Sequence, residues 1–233
     1  MATPSFYHPS LDEQDSIVNL SAAEASHAVS ARRLKVGHKV RLFDGLGLVA
    51  YGELSTAARR TVAVSIKSFE RLEKPNKRLT IAVASPKGDR QKNMLDMLTQ
   101  LGVSDIIPLS CEYSITKFND KVREKWQRVV IEAAKQSQNP FLPIIHKNIS
   151  LNDLISDTSK TVLVANAGGQ SILELNFPLE ELIVVVGPEG GFSDAEFDLF
   201  ENSTITSIAL GGHILRTEAA AVAAAAQFNV FKL

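Results

Sequence analysis

Short stretches that alternate polar and apolar side chains dominate roughly the first 70 residues, a pattern typical of β-strands. Lys39–Phe43 alternates in this way, and Leu48–Leu54 and Thr61–Ile66 follow as candidate strands, the first of these two interrupted by Gly52. Several short strands at this spacing are typical of a small barrel or sandwich. The charged, proline-containing stretch 70–78 is the best candidate for a linker to the rest of the chain.

From Leu79 onward, continuous apolar runs alternate with stretches of helical spacing. Five runs have the character of buried strands: Leu79–Ala84, Ile106–Leu109, Thr161–Ala165, Leu182–Val186 and Ile205–Leu210. Apolar positions predict helices from Met94 to Leu101 and from Val122 to Ser137, and a capping box predicts another at Ser193–Phe200. The alternation predicts an α/β domain with a mainly parallel sheet at residues 74–233, after the β domain at 1–73.

A last helix, beginning at Thr217, has an unusual composition. Seven of its residues between Ala219 and Ala226 are alanines, so it has almost no polar face. A helix without a polar face is expected to be buried on most sides. We therefore predict that it lies inside the domain or in a dimer interface.

Composition excludes several classes of protein. Hydrophobic residues make up 45% of the 233 residues and charged residues 22%, which excludes an intrinsically disordered chain. Cys111 is the single cysteine, so an internal disulfide and a four-cysteine zinc site are both impossible. The histidines lack ligand spacing, no apolar run reaches the length of a membrane span, and no signal peptide is seen before Leu11. We expect a cytoplasmic protein with neither a metal nor a membrane contact.

Charge is unevenly distributed along the chain, although the formal net charge is only −1. Residues 1–147 contain 22 Lys and Arg against 15 Asp and Glu, whereas residues 148–233 contain 3 against 11. The basic excess of the first part favours contact with RNA phosphates or another anionic surface. On the sequence alone, solvated helix faces explain the same excess equally well.

Two glycine-containing loops each follow a buried strand in the C-terminal half. The first is Gly187–Ser193, with the sequence GPEGGFS, and the second is Leu210–Glu218, with the sequence LGGHILRTE. Ligands of parallel α/β sheets bind at the carboxyl ends of the strands, where glycines let backbone groups approach them closely. Either loop alone is explained as an ordinary glycine-containing turn between a strand and a helix. Two such loops with Glu189, Arg216 and Glu218 beside them indicate a binding site. The phosphate-loop, dinucleotide, serine-hydrolase and zinc-protease motifs are absent from the sequence.

These two loops resemble those of the RsmE family of ribosomal RNA small subunit methyltransferases, which belong to the SPOUT superfamily. Further segments match the family in the expected order: His27–Gly37, Phe43–Gly45, Lys87–Arg90, Leu101–Val103, Ile107–Leu109, Trp126–Arg128, Glu132–Ser137 and Pro143. The resemblance covers nearly the whole chain. It implies a PUA-like β-barrel domain at residues 1–73 and a SPOUT methyltransferase domain with a C-terminal trefoil knot at residues 74–233.

The resemblance also implies a reaction, the methylation of N3 of a specific uridine in small-subunit (16S) ribosomal RNA with S-adenosyl-L-methionine. The residues implied to bind this cofactor are Ala165, Asn166, Gly187, Pro188, Glu189, Gly190, Gly191, Leu210, Gly211, Ile214, Leu215, Arg216, Thr217 and Glu218. Uridine N3 must lose its proton before or as it attacks the methyl group, so a cation that stabilises the uridine anion assists. We expect Arg216 to have this catalytic role. Glu189 and Glu218 are alternatives as a general base, although helix-terminal and structural roles explain them equally well.

The basic part of the chain is expected to contact the ribosomal RNA. The candidate phosphate contacts are Arg32, Arg33, Lys35, Arg41, Lys87, Arg90, Arg123 and Arg128. Recognition of one uridine then depends on RNA shape and on an accessible, flipped-out base. The resemblance further implies a homodimer, and a ribosomal particle as the substrate.

The chain departs from the family pattern at several positions. The departures are Met97 and Gln100, where Lys and Glu are usual, Tyr113, Asn139 and Phe141, where Arg is usual, and His213, in a loop that usually reads Gly-Pro-Arg. Several expected RNA or substrate contacts are therefore missing. Two alternatives stay open, namely a SPOUT methyltransferase that acts on another RNA target and a non-catalytic RNA-binding or ribosome-assembly module that retains the fold.

Overall fold

The computed structural model describes residues 3–58, 61–156, 160–171, 175, 180–203 and 205–230. The chain divides into two compact units. The first contains Met1–Lys74 and Ala134–Leu142, and the second contains Pro75–Ala133 and Pro143–Leu233. The segment Ala134–Leu142 lies in the range that the sequence assigned to the α/β domain.

The first unit is built on a mixed sheet with the strand order β1-β3-β4-β5-β2 in the described part of the chain. Its strands are β1 (Ser5–Tyr7), β2 (Ile17–Asn19), β3 (Lys39–Phe43), β4 (Leu48–Ala58) and β5 (Thr61–Arg71). β1 pairs with β3 in parallel, and the other neighbours pair antiparallel. A short helix, α1 (Ala22–Ser26), continues into a π-helical turn at His27–Ala31. The predicted β-rich first domain is confirmed.

β4 and β5 extend beyond the predicted stretches 48–54 and 61–66, because they pair with each other almost to their ends. The predicted linker therefore begins inside β5, which runs to Arg71. Gly52, which interrupts the sequence pattern, marks a shift in the register of the two strands. A side chain at this position would collide with the carbonyl oxygen of Ser65.

The second unit contains a parallel sheet. Its described strands are β6 (Arg78–Ala84), β7 (Asp105–Ser110), β8 (Ile144–Ile145), β9 (Ile149–Ser150), β10 (Thr161–Ser171), β11 (Glu181–Val186) and β12 (Thr206–Ala209). Six of these follow the order β12-β10-β11-β6-β7-β8, and β9 pairs with β7. Every described pair of strands is parallel. The predicted α/β layout is confirmed, and the trefoil knot stays a prediction.

Five helices of the described residues alternate with these strands; the sequence predicted four of them and missed the one at Leu151–Ser156. They are α2 (Asp89–Gln100), α3 (Asp120–Ser137), α4 (Leu151–Ser156), α5 (Asp194–Glu201) and α6 (Thr217–Val230). The last turn of α3, from Ala134, belongs to the first unit. No helix in the described ranges is long and apolar enough to cross a membrane.

The parallel sheet is apolar on both faces. In β6, Leu79, Ile81 and Val83 belong to one buried cluster, whereas Ala82 and Ala84 belong to another. β11 repeats this alternation, with α2 and α6 adding to the first cluster and α4 and α5 to the second. Because both faces are filled by apolar side chains, polar groups that bind a ligand are confined to the ends of the strands.

The alanine-rich helix α6 lies in this core. Ala221, Ala224, Ala225 and Phe228 are fully buried, and the helix contacts α2, β6 and β11. Small side chains permit the close approach of these elements. The burial predicted from its composition is therefore confirmed.

An ionic network joins the first residues of two neighbouring strands. Asp105 lies at the start of β7, and Arg78 lies at the start of β6. The Asp105 carboxylate accepts hydrogen bonds from Arg78 Nη2 (2.7 Å) and from His146 Nε2 (2.8 Å). Burial of Asp105 opposes its ionisation, but the hydrogen bonds from His146 and Arg78 outweigh burial and lower its pKa below the ordinary value. The ionised carboxylate therefore stabilises the folded protein.

We expect Asp105→Asn to lower the free energy of unfolding by about 1–3 kcal/mol at neutral pH. Because the pKa of Asp105 is lower in the folded than in the unfolded protein, the ionised carboxylate adds stability that is fully present above the ordinary pKa of 3.8. This stability is lost as the pH falls through the folded-state pKa. Urea unfolding at neutral and acid pH measures this, and the stabilities of wild type and variant should converge in acid. The exposed Asp198→Asn is the control; a loss as large at acid pH as at neutral pH would contradict the assignment.

Candidate active site

A cavity of about 550 Å³ lies in the second unit at the carboxyl ends of β11 and β12 and beside the middle of β10. Its walls are Ala165, Asn166, Ala167, Val186, Gly187, Pro188, Glu189, Gly190, Gly191, Phe192, Phe197, Leu210, Gly211, His213, Ile214, Leu215, Arg216, Thr217 and Ala220. The volume is in the range of small-molecule sites, about 300–1,000 Å³. The two glycine-containing loops thus meet around one cavity, as the sequence predicted.

The first loop, residues 187–193, turns directly into α5. The N–H of Gly191 donates to the carbonyl oxygen of Pro188 (2.9 Å), and Gly191 has a φ of 77°, a conformation that favours glycine. Ser193 caps α5: its hydroxyl accepts from the Glu196 N–H, and the Glu196 carboxylate accepts from the Ser193 N–H (2.9 Å). The predicted capping box is confirmed, and it fixes the direction in which the loop leaves the cavity.

The second loop is attached to the first and to its own helix. Thr217 Oγ1 donates to the carbonyl oxygen of Gly187 (3.0 Å), and this hydroxyl is buried. Gln227 Nε2 donates to the carbonyl oxygen of Leu210 (2.9 Å), so α6 holds the beginning of the loop as well as its end. The two walls of the cavity therefore keep a fixed relation to each other.

The charged groups of the site differ in their surroundings. Glu189 forms an ion pair with Arg90 (3.1 Å), with both side chains partly exposed. Arg216 is exposed and lines the cavity, and within the described ranges its guanidinium has no carboxylate partner. Glu218 is not in the cavity wall, and its Oε2 atom is buried without a hydrogen-bond partner among the described residues. The unpaired cation at the cavity is thus Arg216.

Most of the residues that the resemblance implied for cofactor binding line this cavity, and Glu218 is the exception. The sequence reasoning missed six lining residues: Ala167, Val186, Phe192, Phe197, His213 and Ala220. The sequence pattern could have indicated Phe192 and Phe197. Phe192 directly precedes the N-cap residue of α5 and Phe197 is the fourth residue of the helix, and apolar residues at these two positions form a hydrophobic staple. Their ring centroids lie 6.0 Å apart. Ala167 was missed because β10 runs to Ser171, beyond the predicted end at Ala165.

The candidate RNA contacts of the first unit divide into two groups. Arg32, Arg33 and Lys35 are exposed and follow the π-helical turn. Arg33 has a φ of 53°, which costs a non-glycine residue about 1–2 kcal/mol. The prediction that Arg41 contacts RNA is wrong, because this residue is only 5% exposed and its Nη1 atom donates a hydrogen bond to Ser5 Oγ (3.0 Å). A guanidinium enclosed in this way cannot reach a phosphate, so Arg41 is removed from the RNA-binding set.

The candidates of the second unit are accessible to different degrees. Lys87 is exposed at the turn before α2. Arg90 forms an ion pair with Glu189, and Arg128 forms one with Glu124 (3.6 Å). The Nε atom of Arg123 donates to the carbonyl oxygen of Ile145 (3.1 Å). Within the described ranges, no group of three or more His, Cys, Asp or Glu side chains is placed to hold a metal ion.

Known proteins share this sequence and this fold. Residues 73–229 match a family model described as an RNA methyltransferase domain, and residues 20–67 match an RNA methyltransferase PUA domain. Ribosomal RNA small subunit methyltransferase E of Rickettsia conorii is 35% identical over 226 residues, covering 93% of this chain and 91% of the relative. The crystal structure of a probable rRNA-methyltransferase from Porphyromonas gingivalis has a TM-score of 0.86 at 30% identity, covering 98% of each chain. Ribosomal RNA small subunit methyltransferase E of Neisseria gonorrhoeae, solved bound to S-adenosyl methionine, has the same fold, with a TM-score of 0.91 at 24% identity over 99% of this chain and 98% of its own.

A PUA domain followed by a parallel α/β domain with a cavity between two glycine-containing loops defines an RNA methyltransferase. This agrees with the resemblance noted at the two loops. Since a relative matched almost end to end is 35% identical, the chain belongs to the ribosomal RNA small subunit methyltransferase E family.

We expect Thr217→Val to lower the free energy of unfolding by about 1–2 kcal/mol, because the partly buried Gly187 carbonyl loses its donor. Hydrogen exchange measures the local effect, and the amide of Gly191 should exchange faster in this variant. Thr217→Ser is the matched control, since it keeps the hydroxyl. Equal exchange of that amide in Thr217→Val and wild type would show that the bond does not hold the first loop.

Proposed function

We propose that the protein transfers a methyl group from S-adenosyl-L-methionine to N3 of a specific uridine in small-subunit ribosomal RNA. The observation that carries this proposal is the single cavity that both glycine-containing loops line. The family supports it, because relatives matched over most of the chain are named ribosomal RNA small subunit methyltransferase E. A relative of the same fold was solved bound to S-adenosyl methionine.

The residues of the cavity fit this cofactor. The absence of side chains at Gly187, Gly190, Gly191 and Gly211 exposes peptide groups that can bind the polar ends of the molecule. Space is limited around this backbone, because a Cβ atom on Gly187 would lie 2.9 Å from the Phe192 ring. Apolar side chains complete the walls, as is usual for sites that bind a flat, partly apolar ligand.

When bound, S-adenosyl-L-methionine supplies an activated methyl group on a sulfonium, so the protein mainly has to position two reactants. The bond from Thr217 to Gly187 fixes the loops that hold one of them. Glu189 is already engaged by Arg90, and Glu218 lies outside the cavity wall, so the geometry favours neither carboxylate as the base. Arg216, which has no carboxylate partner within the described ranges, lies in the wall and can stabilise the negative charge that develops on uridine as N3 gives up its proton to solvent water.

RNA binding is assigned to exposed cations of the basic part of the chain. In the first unit these are Arg32, Arg33 and Lys35, and in the second unit Lys87 is exposed and forms no ion pair within the described ranges. Phosphate contacts position the RNA without reading its sequence, so the choice of one uridine comes from RNA shape and from the site itself. We further propose that the protein acts on a ribosomal particle in the cytoplasm and as a homodimer. Exposed Ala219 and Ala226 of α6 are candidates for the interface.

The proposed function predicts both a binding event and a product. Calorimetry should detect binding of S-adenosyl-L-methionine or its demethylated product, and no affinity for either would reject the enzyme in favour of a non-catalytic module. N3-methylation blocks base pairing, so reverse transcription of small-subunit ribosomal RNA should stop at the modified uridine. The stop should vanish in a strain that lacks the gene, and an unchanged pattern would refute the proposed target.

Complementation of that strain tests Arg216. The wild-type gene should restore the stop, whereas Arg216→Ala should slow methylation by about 10²–10³-fold, the loss typical of removing one electrostatic group from a reacting centre. Cofactor affinity should be retained, because Arg216 is proposed to act on the uridine. Normal cofactor binding together with a normal methylation rate would reject this role.

We expect Arg32→Glu with Arg33→Glu to weaken RNA binding by at least about tenfold and to reduce its salt dependence, because each lost phosphate contact lowers the slope of log K against log salt by about 0.7–0.9. The affinity for S-adenosyl-L-methionine should stay unchanged. Filter binding across a salt series and calorimetry measure the two effects. Lys67→Glu, at another exposed lysine of the first unit, is the control for charge alone. Equal losses of both affinities would contradict the division of roles.

A further inference from the structure

Tyr113 lies in a tight turn that follows β7, at the same edge of the sheet as the cavity. The Ser114 N–H donates to the carbonyl oxygen of Cys111 (3.0 Å), and the Cys111 N–H donates to Ser114 Oγ (2.9 Å). The Cys111 side chain points into the core, where burial raises the pKa of its thiol to about 12, so it is an unreactive packing group. The turn therefore has a fixed backbone and presents Tyr113 at its tip.

This turn is attached to the cavity through one carboxylate. Glu196 Oε1 accepts from the Glu112 N–H (3.0 Å), while Glu196 Oε2 accepts from the Ser193 N–H in the capping box of α5 (2.9 Å). Both contacts are made by a carboxylate that is almost fully buried. The position of Tyr113 is thus tied to the end of the first cavity loop.

The side chain of Tyr113 lies against that loop from outside. A Cβ atom placed on Gly190 would be 3.1 Å from Tyr113 Cβ and 3.6 Å from its Cγ, so Gly190 is in contact with the base of the ring. Gly190 lines the cavity, whereas Tyr113 does not. The ring therefore lies next to the cavity wall without being part of its lining.

The ring of Tyr113 has no aromatic or hydrogen-bond partner among the described residues. It is 47% exposed, and its hydroxyl makes no hydrogen bond in the part of the chain that the structure describes. The other exposed tyrosine there, Tyr51, donates its hydroxyl to Glu70 (3.0 Å). Phe192 and Phe197 in the cavity wall pack edge to face with each other and with Phe200. Tyr113 thus has an aromatic ring that stacks on no other ring in the described ranges, held in a fixed place beside the site.

We propose that Tyr113 is the stacking platform for the uracil ring that receives the methyl group, a proposal that rests on the proposed function. A base that is to be modified must first leave its stack in the RNA, and proteins replace the lost stacking with aromatic side chains. A half-exposed ring on a fixed turn, in contact with a residue of the cavity wall, supplies this contact next to the site. Tyr113 is therefore a substrate-positioning residue, and it has no part in holding the cofactor.

The test is a comparison of methylation kinetics on a small-subunit RNA substrate. Tyr113→Ala should raise KM for RNA by about 5- to 150-fold, the range that corresponds to the loss of one base–aromatic stack. Tyr113→Phe should keep the wild-type KM, because the face and not the hydroxyl makes the contact. Ile115→Ala removes another exposed side chain close by in sequence and should leave KM unchanged. In all variants, calorimetry should give the wild-type affinity for S-adenosyl-L-methionine.

A spectroscopic reading separates stacking from a structural role. Tyr113→Trp introduces an exposed indole, while the native Trp126 is fully buried and gives a constant background. Binding of RNA should quench the new fluorescence, and S-adenosyl-L-methionine alone should not. An unchanged KM in Tyr113→Ala, or a loss of cofactor affinity in that variant, would overturn the stacking role. The proposed function would still stand as long as the wild type methylates the RNA. No methylation by the wild type would overturn both.

Discussion

Burial of both faces of the parallel sheet is the constraint on which the second unit depends. Residues 182–186 of β11 alternate between two apolar clusters, so a polar side chain in this stretch would face an apolar cluster on either side of the sheet. Polar and glycine residues are therefore displaced to the strand ends, where the loops after β11 and β12 meet. The same constraint explains α6: its alanines let it fit into a core that has little room for larger side chains.

Local patterns predicted the features that depend on neighbouring residues. The capping box at Ser193 and Glu196, the strand Leu182–Val186 and the helix beginning at Thr217 were all readable, because each depends on contacts a few residues apart. The placement of segment 134–142 in the first unit could not be predicted in this way. Lys135 is buried in an ion pair with Glu24 (2.9 Å), 111 residues away in sequence, and no local pattern could indicate it. Arg41 shows the same limit, since its burial against Ser5 depends on how β1 pairs with β3.

The basic excess of the first 147 residues overstates the charge available to RNA. Lys135, Arg41, Arg78 and Arg90 all contribute to that excess, yet each is engaged inside its own unit, with Glu24, Ser5, Asp105 and Glu189 respectively. The cations that remain exposed without such a role are fewer, and Arg32, Arg33 and Lys35 are close together in sequence. A count along the chain therefore indicates the kind of partner, whereas burial decides which residues can contact it.

The hydrogen bond from Thr217 to Gly187 joins two positions that are 30 residues apart. The chain between them includes α5 and β12, so the first loop is complete in sequence well before its donor has been synthesised. A nascent chain that has emerged only as far as α5 has the first wall of the cavity but not the bond that holds it. The site therefore cannot be complete before the start of α6 has been synthesised.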